Sequence, residues 1–327
     1  MLKATNAALM RLVTTSTPWG PAVALARTLL ASATMATLLL NEAHILFRPG
    51  AGRDQVPFCE GVAGGGLFCQ GADLDVMRWV AIVGLALVLS GWRPRYTGVL
   101  HWWIALSLNM NGTVVDGGEQ VNAALTMLLI PVTLTDPRRN HWDRCPSYAE
   151  HARPYLRLVA MVGLTLVSLQ VCGIYAHASI AKFEVPQWTN GTALYYWLSY
   201  GPFSVPQWLR PVIIPLVEYG PTLTLITWSV LVLEFLLGAA PLMMPRVRVA
   251  LFVAGVGMHV GILLLQGIAS FSVTMLAALV LSVWPYRDRN PLSLLRGSLV
   301  AARRGLERLV PSRVPVTTPA VALRAQP

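Results

Sequence analysis

Eight apolar stretches recur along the chain, at roughly 20–40, 77–91, 98–110, 120–135, 156–178, 222–244, 247–266 and 268–284. They limit what it can fold into. About 20 such residues in a helix cross the hydrocarbon core of a bilayer. The expected fold is therefore all-α: a polytopic transmembrane bundle of about eight spans with short outer interfacial helices. The third and fourth stretches are shorter than a full span and carry polar groups. Composition agrees: 55% of the 327 residues are hydrophobic and 12% are charged, about half the charged share of a soluble domain.

A formal net charge of +10 would suit a nucleic-acid partner, but the positions of the basic residues argue for a lipid bilayer instead. Threaded from a cytoplasmic N-terminus, the inside segments hold 19 of the 25 lysines and arginines. The outside segments hold Arg48, Arg53, Lys182 and Arg210. Short cytoplasmic loops accumulate Lys and Arg, so both termini are expected in the cytoplasm of a bacterial cell. No nucleic acid is expected as a partner. The chain divides into an amphipathic cytoplasmic lead (1–18), a membrane domain (19–286) and a basic tail (287–327). In the tail, Leu292 to Leu309 read as an amphipathic helix and the remainder as disordered. The first apolar run continues to Leu40, past the small residues Ala31 to Ala33, so it is expected to stay as an anchor rather than leave as a signal peptide.

Cys59 and Cys69 flank a glycine-rich loop placed outside, where a disulfide is the default; a redox-active pair is the alternative, without Cys-x-x-Cys spacing. No cysteine or histidine spacing makes a zinc site, and no metal is predicted. Walker, dinucleotide and GxSxG motifs are absent from the sequence.

Ionisable side chains inside a bilayer are costly and mark function by default. Glu234 lies about 12 residues before the Pro245–Arg246 turn and His259 about 13 after it, so both sit roughly 18–20 Å from the inner surface. They are expected to face each other as an intramembrane polar pair, handling protons or gluing two helices. A second group gathers at the outer ends: Glu42 and His44, Asp116 and Glu119 (three apart, on one helical face), His177 and Lys182. Lys182 and Lys3 are the chain's two lysines. Lys182, Glu119, Asp116 and His177 are expected to line an outer catalytic pocket; the alternative is loop residues in water. Between 179 and 221, prolines alternate with aromatics, which predicts short helices at 191–199 and 206–218 forming a lid. Trp188, Tyr195 and Tyr196, with Glu42 and His44, are the expected substrate contacts. His101-Trp102-Trp103 reads as an interfacial anchor.

The run Tyr175-Ala176-His177-Ala178-Ser179-Ile180-Ala181-Lys182, then Trp188 and Gly191-Thr192-Ala193-Leu194-Tyr195-Tyr196, resembles the HTTM domain. That membrane domain is shared by vitamin K-dependent gamma-carboxylases and bacterial homologues. Its pattern is an Ala/Gly-x-x-Lys closing a span, a Trp about six residues on, then Gly-Thr-Ala-x-Tyr. Length and the cysteine loop look closer to the sporulation-delaying protein B (SdpB) branch, over about residues 20–290. The resemblance implies a membrane factor that matures an exported peptide toxin with a small SdpA-like partner. In the carboxylases a lysine at this point is the base for a quinol, a role Lys182 would inherit. Where they place a histidine before the fourth-span helix, this chain reads Asp116-Gly117-Gly118-Glu119-Gln120. Carboxylation is therefore not predicted, and no cofactor is assigned. Two other readings stand beside this one: a non-catalytic toxin-binding receptor or immunity protein, and a quinone-linked oxidoreductase using Glu234 and His259 as a proton relay.

Overall fold

A computed structural model describes residues 10, 13–50, 55–71, 73–113, 116–150 and 153–285. Residues 1–9, 11 and 12 of the amphipathic lead and the whole basic tail lie outside the described residues. Each apolar stretch is helical: α1 Pro21–Leu40, α2 Leu74–Leu89, α3 Pro94–Asn111, α4 Gly117–Leu128, α5 Pro154–Lys182, α6 Gly220–Ala239, α7 Pro245–Gln266 and α8 Ala269–Ser282. Four helical segments are long and apolar enough to cross a membrane: α1, α5, α6 with its following turn to Leu242, and α7; α8 is a shorter apolar helix. Among the described residues there is no β-strand, and one isolated bridge joins Trp92 to Asn140.

The helix ends follow from local chemistry. Proline stands in the first turn of α1, α3, α5, α6 and α7, where its missing N–H costs no hydrogen bond. Asp73 and Asp116 cap α2 and α4 with their carboxylates. Gly267, at φ 71°, ends α7 in the left-handed region that glycine enters without strain. α4 stops at Leu128, and a separate turn of helix, Ile130–Leu134, follows with Pro131 in its first turn.

α8 and α1 run through the middle of the main core. Along α8 almost every side chain from Thr274 to Ser282 is buried, whereas α7 buries only Leu251, Phe252, Gly255 and His259. α6 and α7 instead turn Leu225, Val232, Phe235, Val253 and Leu264 outward. Apolar faces without protein partners on long apolar helices are the surface that lipid solvates. A second core joins α1, α2 and α3 to the loop carrying the Cys59–Cys69 disulfide, which is formed, with Cα atoms 5.8 Å apart. Asn111, closing α3, donates its Nδ2 to Phe58 O and Ala63 O and so pins that loop. His101 is not at an interface: it is buried, because its face of α3 packs inward, while Trp103 donates Nε1 to Gly65 O. The segment between α5 and α6 folds into Pro186–Thr189, Ala193–Ser199 and Arg210–Glu218, packed around Leu198, Val205, Val217 and Leu223.

Candidate functional site

α5 and α6 are antiparallel: Ser179 donates to Leu231 O, while a Cβ on Gly238 would lie 3.1 Å from Ala176 N. Gly238 thus lets the two backbones approach closely. Helical side chains lean toward their own N-terminus, so on antiparallel neighbours Lys182 and Glu234 lean toward each other. They meet: Lys182 Nζ lies 2.6 Å and 2.9 Å from the Glu234 carboxylate oxygens and also donates to Ala178 O at 3.2 Å. The ammonium sits 5.2 Å from the centre of the Trp188 ring, a cation–π contact.

Glu234 does not pair with His259, as depth alone suggests. His259 Nε2 and the Tyr175 hydroxyl share a 2.8 Å hydrogen bond, and the His259 ring also lies edge-on to Phe271. His259 Nδ1 is buried without a partner. The physical reason is charge: a carboxylate takes the nearby cation, and the imidazole is left to the phenol. Tyr175 and Lys182 are seven residues apart and share the face of α5, so the two bonded pairs are stacked along one helix seam. In the sequence Tyr175 stands only as the first residue of the run that ends at Lys182.

The other expected members of an outer pocket are placed elsewhere. Asp116 caps α4, and Glu119 turns into a seam with Thr34, Thr37 and Ser270. No ion pair or hydrogen bond among the described residues joins either of them to Lys182. His177 is exposed on α5, and Glu42 and His44 pair with each other at 3.1 Å at the surface, each side chain more than two-thirds exposed. Trp188 also lines a concavity of about 190 Å³, with Val185, Gln187, Ala193, Tyr196 and Trp197. A neighbouring one of about 160 Å³ shares Tyr196 and Trp197. Tyr195 instead faces Tyr200, their hydroxyls 3.3 Å apart.

One buried polar network is invisible to sequence reading. Arg27, mid-α1, donates to His141 Nδ1 and Thr97 Oγ1, both at 3.1 Å. Arg138 grips Asp136 through two nitrogens and donates to His141 O. Burial, then the Arg27 and Arg138 charges, hold the His141 pKa down to about 3. Burial pushes the nearby Cys145 thiol up, so it is a poor nucleophile. Arg157 stacks near Trp19 and Tyr148 while binding Ser16 O and Pro146 O. Arg138 and Arg157, counted from sequence among the inside charges, and Arg27, placed there within the first span, tie down the segment at 136–148.

No known family model matches the chain, and no solved structure does. Two proteins of Bacillus subtilis (strain 168) are similar along most of its length. The uncharacterized protein YitO is 36% identical over 274 residues, 82% of this chain and 86% of YitO. The sporulation-delaying protein SdpB is 32% identical over 305 residues, 91% of this chain and 93% of SdpB.

Proposed function

The chain belongs to the family of sporulation-delaying protein SdpB, and from that premise we propose that it is an integral membrane factor for maturing an exported peptide toxin. One observation carries the chemical part. A lysine is held by a carboxylate between two apolar helices and touches Trp188, which also lines an aromatic concavity, with a tyrosine–histidine bond on the same seam. In this reading Lys182 and Glu234 exchange a proton at the site, and Trp188, Tyr196 and Trp197 receive an apolar part of the precursor. The motif that ends at Lys182 supports assigning an HTTM-type domain to residues 19–286. The distribution of basic residues supports eight spans with both termini inside, which puts Lys182 on the outer side with the exported substrate. The small partner would be an SdpA-like protein.

The test is to replace Lys182 with Gln in cells that make the toxin and to compare active product at matched protein levels. The expected result is loss of mature toxin. Undiminished product would defeat the catalytic role, and retained peptide binding with no processing step at all would favour the receptor reading.

A further inference from the structure

Glu119 has a chemistry of its own, independent of the toxin reading. It is buried, 1% exposed, in the seam of α1, α4 and α8. Its Oε1 accepts from Thr37 Oγ1 at 2.6 Å and Ser270 Oγ at 2.8 Å, and its Oε2 from Thr34 Oγ1 at 3.4 Å. No ion pair among the described residues includes it. A buried carboxylate must be neutralised, by a proton or by a cation.

Several oxygens beside Glu119 would serve a cation. Glu119 is in the first turn of α4, at the end of the helix where the free backbone N–H groups gather. A Glu in that position ordinarily reaches back to the cap residue's amide; here it is turned into the seam, where hydroxyls converge on it. Asp116 brings a second carboxylate, sharing the Ser270 hydroxyl at 3.4 Å. One turn along α4, Asn122 is fully buried. Its Nδ2 reaches Leu30 O on α1 and Thr274 Oγ1 on α8, which fixes the amide in the same seam. Its carbonyl oxygen has no partner there. Leu30 and Thr274 are each four residues from Thr34 and Ser270, so the three helices supply two successive layers of oxygen. Such a set, without thiol or imidazole, suits a hard cation. A single buried carboxylate matches a single positive charge.

We infer that Glu119, Thr34, Thr37 and Ser270, with Asp116 at the partly exposed entrance and Asn122 beneath, bind a monovalent alkali cation of the sodium class. The ion ties α4 to α1 and α8, the helices at the centre of the core.

The experiment follows unfolding of the purified full chain in lipid nanodiscs by tryptophan fluorescence. Sodium chloride is titrated against N-methylglucamine chloride at constant ionic strength, with potassium and calcium as parallel arms. A saturable rise in midpoint on the order of 3 °C at ten times the dissociation constant is expected with sodium. Glu119→Gln should abolish the response. Ser270→Ala removes one hydroxyl, leaves the fold intact and should shift the sodium titration about tenfold to higher concentration. A native chain indifferent to sodium overturns the inference, as does a response shared equally by all salts or given by calcium alone. A Glu119→Gln or Ser270→Ala protein that titrates like the native chain overturns it as well.

Discussion

Replacing Lys182 with Met takes the cation from a pair in which the Glu234 side chain is 12% exposed and Lys182 22%. Glu234 lies well inside α6 and is little exposed, so its charge is left largely buried and unpaired. Removing one partner of a buried pair costs about 3–5 kcal/mol, and the partial exposure of Lys182 puts this case near about 3 kcal/mol. The reverse change, Glu234→Gln, is milder. Lys182 closes α5 and can swing its ammonium outward past Trp188, so the cost falls to about 1 kcal/mol, one hydrogen bond's worth. Carrying both substitutions leaves no stranded charge and should cost about 2 kcal/mol, half the sum of the singles. The coupling is then about 2 kcal/mol, within the range for contacting residues. Denaturant unfolding of the four proteins in matched micelles measures it. Additivity within about 0.5 kcal/mol, or Glu234→Gln costing as much as Lys182→Met, would refute the asymmetry argued from the antiparallel helices. The double substitution also separates roles, because it restores stability without restoring the proton exchange assigned to the pair.

Gly118→Ala would place a Cβ 2.5 Å from Phe271 Cα and 2.7 Å from its N. Backbone cannot yield as a side chain does, so α4 is pushed off α8 at a cost of about 1–3 kcal/mol; a thermal midpoint equal to the native one would count against this packing. His141 sets an acid limit. Its folded pKa of about 3 lies below the usual 6.5, so between those values the unfolded chain binds a proton that the folded chain does not. Stability is full above pH 6.5 and falls as pH drops, by at most about 1.4 kcal/mol per pH unit from this group. His141→Gln keeps an acceptor for Arg27 and should flatten that limb in unfolding curves taken from pH 7 to pH 4.

Sequence alone determined the elements, because local rules govern them. Apolar runs, first-turn prolines and capping aspartates place α1 to α8 close to where hydropathy puts them, and the pairing of Cys59 with Cys69 across a short glycine-rich loop was legible too. Lys182 and Glu234 were legible as costly residues, since charge on an apolar helix shows at once. Their pairing was not. Depth counted from the Pro245 turn sets Glu234 beside His259, but partners depend on which faces meet and which way side chains lean. Those follow from α5 and α6 running antiparallel and close at Gly238. In the same way Asp116 and Glu119 read as companions of Lys182 at one outer mouth. Only the packing of α1 and α8 against α4 gave Glu119 its hydroxyls from Thr34, Thr37 and Ser270, residues that are ordinary in sequence until three helices bring them together. Arg27 and His141 make the same point, being 114 residues apart and joined by one hydrogen bond. Helices are written in neighbouring residues, whereas a buried polar site is written in the contacts between them.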